Sequence, residues 1–217
     1  MPRLVQRTNS PSRGTADRIL DHARRVFNER GVAAVGMREI ARDLEISPGN
    51  LSYHFATKEV LIAALVLRMH EGNNALVAEP TGALDLAGVD ARLRTLMRRD
   101  YENRWLMRDC VGLVQSMPSL ARLLAPMQRA RDARVDVLAR RLVDAGLLDA
   151  ERTKHALPLL RTQLVTQVAF WLPAAILAEP KRDPLERLDI HARAALALFL
   201  PLCTPAGKRQ LQRVLLR

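Results

Sequence analysis

Residues 37–58 read MREIARDLEISPGNLSYHFATK, and their chemistry points to recognition of a polyanion. Met37, Ile40, Ala41 and Leu44 fall on one face of a short helix, and Arg38, Glu39, Arg42 and Asp43 on the other. A tight turn around Glu45 and Ile46 follows. Ser47 then stands where an N-cap belongs, and Pro48 at the first helical position, where its missing N–H costs nothing. Two short helices joined by such a turn make a helix-turn-helix. The second opens on Ser47, Pro48, Gly49 and Asn50, small enough to let its N-terminus approach a major groove, and its free N–H groups and dipole favour phosphate. Asn50 can pair with a base edge or a phosphate. Arg38 sits where it bears on sequence preference. Tyr53 and His54 reach the backbone from the far end, and Lys58, opening the next helix, is a phosphate clamp. Leu51 and Phe55, four apart, must anchor the short helix. The bland alternative is three packed helices with a solvated polar face. Arg42 and Arg68 read as such solvated charges.

These residues need elements to hold them. A first helix is predicted over 15–30, with Thr15 as N-cap, Ile19, Leu20, Ala23, Val26 and Phe27 as its buried face, and Gly31 as its stop. The recognition helix over 48–55 is too short to be stable alone. A fourth helix follows Thr57 to about residue 71. The stretch 72–88, with Pro80 and Gly82, reads as a domain boundary. Beyond it lie amphipathic segments over 89–117 (one bent helix or two), 118–145, 151–178 and 184–200, with Pro158 and Pro173 expected to start or kink the third. Residues 206–217 form a short basic tail with a last turn or two. The expected organisation is a basic arm over 1–14, a DNA-binding domain over 15–71 and a helical domain over 72–217.

Residues 19–65 resemble the DNA-binding domain of the TetR family. The matching elements are the Ile-Leu/Ala/Phe face before Gly31, Arg-Glu-Ile-Ala at 38–41, SPGNLSYHF at 47–55 and Thr-Lys-Glu-x-Leu at 57–61. Three positions depart from the family pattern. Val35 and Gly36 stand where a Thr or Ser would cap the second helix. Glu45 replaces the turn Gly, and if left-handed costs roughly 1–2 kcal/mol. Ser52 replaces a common Tyr. The resemblance implies an all-α fold, an N-terminal three-helix DNA-binding domain, and a C-terminal helical domain that binds ligand and dimerises. It implies a transcription regulator, a repressor released from double-stranded DNA by a small molecule. By the same analogy 151–178 and 184–200 build a homodimer interface.

In the C-terminal part, Tyr101, Trp105, Met107, Cys110 and Met117 lie on one segment. Gln163, Gln167 and Trp171 recur every four residues on another. Apolar walls with a few convergent polar groups suit a small-molecule site, and the lining predicts a mostly apolar inducer. Met and Trp at helical spacing are more often core, so the same residues also read as packing. His22, His70 and His155 read as isolated and solvated.

Composition narrows the classes. Lys+Arg of 34 against Asp+Glu of 23 gives a net charge of +11, which suits an anionic partner, although only Lys58, Lys154, Lys181 and Lys208 are Lys and an Arg bias can reflect genome composition. Aromatics are 4%, while Leu, Ala and Arg abound, which favours helix over strand. Cys110 and Cys203 form no metal-ligand spacing, and no metal or cofactor is expected. No paired carboxylates, Ser/His/Asp arrangement or Gly-rich phosphate loop appears, so no enzyme is expected. No stretch suggests a membrane span or a signal peptide, and a cytoplasmic protein is expected. An α-helical enzyme or ligand carrier, or an architectural DNA binder, are the competing classes.

Overall fold

The computed structural model of the chain describes residues 11–77 and 84–216. Residues 1–10 of the expected arm and 78–83 of the expected boundary lie outside the described residues. What is described is helical: α1 (Pro11–Arg30), α2 (Met37–Asp43), α3 (Pro48–His54), α4 (Lys58–Val77), α5 (Leu86–Glu102), α6 (Arg104–Ser116), α7 (Pro118–Asp144), α8 (Ala150–Ala178), α9 (Leu188–Ala197) and α10 (Pro205–Leu215), with 3-10 turns at Pro184–Arg187 and Leu200–Leu202. There is no strand among the described residues. None of the described helices is long and apolar enough to cross a membrane. The chain divides into two units, residues 1–68 and 69–217, with the division inside α4.

In the first unit, α1 starts at Pro11, about a turn before Thr15, and ends as expected at Gly31, whose φ of +86° only glycine adopts without strain. Ile19, Ala23 and Phe27 are fully buried, as are Ile40, Leu61 and Ile62. Leu51 from α3 joins that apolar core, and Phe55 lies just beyond its C-terminus, also buried. The 7-residue α3 is therefore held by tertiary burial, since an isolated helix of that length is unstable.

In the second unit, α5 packs on α8, α9 and α10, and α8 packs on α7 and α9. Leu86, Val89 and Leu93 of α5 meet Leu160 and Leu164 of α8, Ala195 and Leu196 of α9, and Leu211 and Val214 of α10 in one apolar cluster. A second cluster holds Met97, Trp171, Leu172, Ala175, Leu188 and Ala192.

Several expectations need correction. The helix after Thr57 runs past Gly72 to Val77, because one glycine costs a helix only about 1 kcal/mol. Here it is also useful: a Cβ on Gly72 would stand 3.0 Å from the Arg99 guanidinium. For segment 89–117 the second of the two alternatives holds: it is two helices, broken at Asn103. Pro158 and Pro173 do not start the third segment: α8 begins at Ala150 and both prolines lie in its interior. The segment from 184 opens as a 3-10 turn before α9. The tail is the largest miss. Thr204 caps a full helix, α10, accepting from the Gly207 N–H at 3.1 Å. Leu211 and Val214 are buried, and Gly207 lies against the Leu147 carbonyl so closely that a Cβ would sit 1.9 Å from its oxygen.

Candidate nucleic-acid interface

The turn between α2 and α3 aims the site. Ile46 N–H donates to the Ala41 carbonyl and Glu45 N–H to the Arg42 carbonyl, both at 3.0 Å. That 6→1 and 5→2 pairing is a Schellman motif, which places its turn residue in the left-handed region. Glu45 has φ +56°, the single non-glycine positive φ among the described residues. The backbone strain expected from the Gly-to-Glu departure is therefore present.

Ser47 opens α3 in extended backbone, and its Oγ accepts from the Asn50 N–H at 3.0 Å. That bond satisfies one of the free donors of the helix N-terminus. Pro48, Gly49, Asn50, Ser52 and Tyr53 are exposed, while Leu51 between them is buried. Tyr53 is 81% exposed, which no core role explains. His54 is half-buried, its ring edge-on to Tyr53 at 5.2 Å between centroids. Thr57 Oγ1 accepts from the Val60 N–H at 3.2 Å and starts α4 with Lys58 at its first position. The Lys58 ammonium stands 6.0 Å from the Phe27 ring centroid, and burial holds its pKa below the usual lysine range.

The neighbouring α2 has no side-chain cap at Gly36, and Val35 before it is buried in the core. Arg38 is exposed, while Glu39 is tied to Arg30. Arg42 is exposed beside Asp43, and Arg68 pairs with Asp21 at 2.8 Å. His22 is not solvated: it is 8% exposed, accepts from Arg25 at Nδ1 (2.9 Å) and meets Asp43 through Nε2 (3.3 Å). Because Arg25 can only donate, Nε2 carries the proton toward Asp43. The expectation of a solvated ring fails because His22 falls beside Ala23 on the buried face of α1.

The residues singled out in the second unit separate into groups. Tyr101, Met107 and Trp171 meet at the second apolar cluster. Gln167 is 3.4 Å from His191 Nδ1, and the His191 ring lies 6.0 Å from that of Trp171. Trp105 is fully buried, and Cys110 and Met117 are half-buried on or beside α6, outside that cluster. Gln163 is exposed. The four-residue recurrence drifts about 40° per step, so Gln163 and Trp171 point about 80° apart. Sequence reading misses His191 and Asp100. Both fall on apolar faces, His191 with Leu188 and Ala192, and Asp100 after Val89, Leu93 and Met97. A polar residue interrupting a periodic apolar stripe is the available signal. Burial and Arg187 both hold His191 below its usual pKa, so its ring is neutral.

A helix-turn-helix with an exposed, capped recognition helix, joined to an all-helical second unit, defines a DNA-binding transcription regulator. The model of bacterial regulatory proteins of the tetR family matches residues 19–65, and that described as bacterial transcriptional repressor, TetR, matches residues 68–211. The chain belongs to the TetR family. It is 25% identical over 199 residues to the HTH-type transcriptional regulator UidR of Escherichia coli K12, covering 90% of this chain and 96% of that one. A TetR-family regulator from Marinobacter aquaeolei VT8 has the same fold, with a TM-score of 0.83 at 22% identity over 92% of this chain and 96% of that one. SmeT, the repressor of the Stenotrophomonas maltophilia multidrug efflux pump SmeDEF, superposes with a TM-score of 0.66 at 20% identity, covering 91% and 95%. These relatives are regulators of transcription, not enzymes.

Proposed function

We propose that the chain is a homodimeric repressor that reads a two-fold operator with α3 and is released by a mostly apolar small molecule. The observation that carries DNA reading is the display of Asn50, Ser52 and Tyr53 on a helix whose one buried side chain, Leu51, pins it to the core. In this reading Arg38 and Asn50 face base edges, and Ser47, Tyr53, His54 and Lys58 hold phosphates. Gly49 and Pro48 keep the helix end slim enough to enter the groove.

Dimerisation rests on an exposed apolar stripe. Leu159, Phe170 and Leu177 of α8 are 69%, 51% and 81% exposed, and Ile190 of α9 is 57% exposed. A patch of this kind marks an interface, and α8 and α9 are the helices the family resemblance assigns to it. Gln163, on the same exposed side, then belongs to the subunit contact rather than to a pocket. The description of SmeT as a repressor supports repression here. The candidate inducer site is the cluster of Tyr101, Met107, Gln167 and Trp171, completed by Met97 and His191. Trp171 Nε1 and His191 Nε2 are buried there without a hydrogen-bond partner among the described residues, and offer a ligand two polar contacts in an apolar wall. Helix α4 runs unbroken from Lys58 to Val77, from the DNA-binding unit into the second. A ligand that prefers a state with a different spacing of the two α3 helices weakens operator binding, and DNA weakens ligand binding by the same factor. A cytoplasmic location fits this role.

Selection of bound sequences from a random DNA pool by the purified chain tests the reading. A two-fold symmetric motif is expected, with half-sites about one helical turn or a multiple apart. An asymmetric motif, or no enrichment, refutes it.

A further inference from the structure

Two unpaired polar atoms of the second unit belong to rings that meet. The Trp171 and His191 rings stand 6.0 Å apart between centroids. Trp171 is 1% exposed, and its indole N–H, the one polar group of the side chain, has no acceptor among the described residues. His191 is engaged at one nitrogen: the Gln167 amide nitrogen lies 3.4 Å from Nδ1. An amide NH2 only donates, so Nδ1 accepts and the proton of the neutral ring sits on Nε2. That Nε2 is buried and also lacks a partner among the described residues. Other orphaned atoms of this unit differ in kind. Asp90 Oδ1 belongs to a carboxylate whose second oxygen accepts from Arg94 at 2.8 Å, and Arg187 Nε to a guanidinium already bound to Glu179. The Trp171 indole has no second polar atom, and the free atom of its neighbour is a donor as well. Two N–H groups beside one apolar cluster, with no acceptor for either, define the missing partner by its chemistry.

We propose that the effector presents an uncharged carbonyl oxygen to this pair, accepting hydrogen bonds from Trp171 Nε1 and His191 Nε2, with its apolar body among Met97, Tyr101 and Met107. The proposal rests on the ligand-release reading above and names the ligand class: ketones, esters and lactones. A carbonyl oxygen has two lone pairs and can accept from both N–H groups at once. An ammonium group brings only donors to a place that already holds donors. A carboxylate brings a charge that burial penalises unless a cation pairs with it, and the neighbouring cations are engaged. Arg187, four residues before His191 at the start of α9, is bound to Glu179. Arg104 lies over the Tyr101 ring at 4.9 Å and donates to the Tyr101 backbone carbonyl at 3.3 Å. Room for the body comes from Met97 and Met107, whose unbranched side chains repack easily. Tyr101, Met107 and Leu185 are half-buried against the cluster, so its edge is not sealed.

Calorimetry on the full-length protein tests this with 2-nonanone and γ-nonalactone as probes, against nonanoate, nonylamine and butylbenzene. The ketone and the lactone should bind at least about tenfold tighter than each of the other three. Trp171→Phe keeps an aromatic ring and removes the N–H. It should weaken the carbonyl probes about fivefold, the worth of one hydrogen bond, and change butylbenzene little. His191→Phe should do the same, with His191→Gln, which keeps a donor, between it and the native chain. Nitrogen-proton NMR adds a readout that lost packing does not move. The chain has two tryptophans, and Trp105→Phe assigns their indole signals. The Trp171 indole proton should shift downfield when the ketone binds. Binding of nonanoate, nonylamine or butylbenzene as tight as that of the ketone, no carbonyl binding at millimolar concentration, or an unmoved Trp171 indole proton overturns the proposal. Operator release is measured separately with each probe. Release by nonylamine or butylbenzene alone leaves the ligand-release reading standing and removes this one. Carbonyl binding at Trp171 without release does the reverse.

Discussion

The two units handle charge in opposite ways. The first keeps its ions at the surface: Arg30 with Glu39, Arg68 with Asp21 and Arg42 with Asp43, around a core of Ile19, Phe27, Ile40, Leu61 and Ile62. Its one buried imidazole, His22, is bonded at both nitrogens. The second unit buries the Asp100 carboxyl and leaves Trp171 Nε1 and His191 Nε2 without a hydrogen-bond partner among the described residues. Each unsatisfied buried polar group costs about 1–3 kcal/mol. A unit that displays a rigid reading head has no use for such defects. A unit that must change state when something binds does, because a ligand can satisfy them in one state and not in the other.

The largest expected effect breaks or sharpens that contrast directly. Folded, Asp100 keeps its proton to about pH 7; unfolded, it loses it near 4. The folded state therefore binds the extra proton between those values, and stability falls as pH rises through that window. Asp100→Asn removes the penalty, and at pH 8 should stabilise the second unit by as much as about 4 kcal/mol while changing little at pH 4. Thermal melts at the two pH values check it; equal melting shifts at both would count against a buried charge. Next is Gly207→Ala, whose Cβ would press on the Leu147 carbonyl at 1.9 Å. It should destabilise by about 1–3 kcal/mol or more, read by chemical denaturation, and leave operator affinity of the folded fraction unchanged. In the first unit the effects are smaller. Ser47→Ala removes the α3 cap and should cost about 1 kcal/mol in denaturant titration. Glu45→Gly relieves the left-handed backbone and should raise stability by up to about 1 kcal/mol, net of the greater freedom of glycine in the unfolded chain.

The same contrast explains what is legible in the sequence. Local chemistry decides the first unit: Gly31 stops α1, Ser47 and Pro48 start α3, and the spacing of Leu51 and Phe55 gives its buried side. Each is a backbone requirement met by a residue type, readable without knowing the rest. The left-handed Glu45 is legible as a departure because turn geometry there is demanding. The second unit depends on residues far apart in sequence. The tail becomes α10 because Gly207 meets Leu147 and Leu211 joins the α5 cluster, neither of which periodicity over a dozen residues reveals. An ideal repeat groups Gln163, Gln167 and Trp171, but it drifts around the helix, and only Gln167 and Trp171 share a neighbour, His191. Asp100 reads as one more charge, although its place in the Val89–Leu93–Met97 stripe marks it as buried.

The central claim is that α3 reads sequence while its surroundings grip the backbone. Fluorescence anisotropy on a selected operator duplex and on a scrambled one tests it, using the native chain, Asn50→Ala and Lys58→Ala across a salt series. Asn50→Ala should lose about 1–3 kcal/mol on the operator and little on the scrambled duplex. Lys58→Ala should weaken both duplexes alike and lower the salt slope of log K by about one for each phosphate it no longer neutralises. Native affinity in both variants, or loss of discrimination in Lys58→Ala with none in Asn50→Ala, would contradict it.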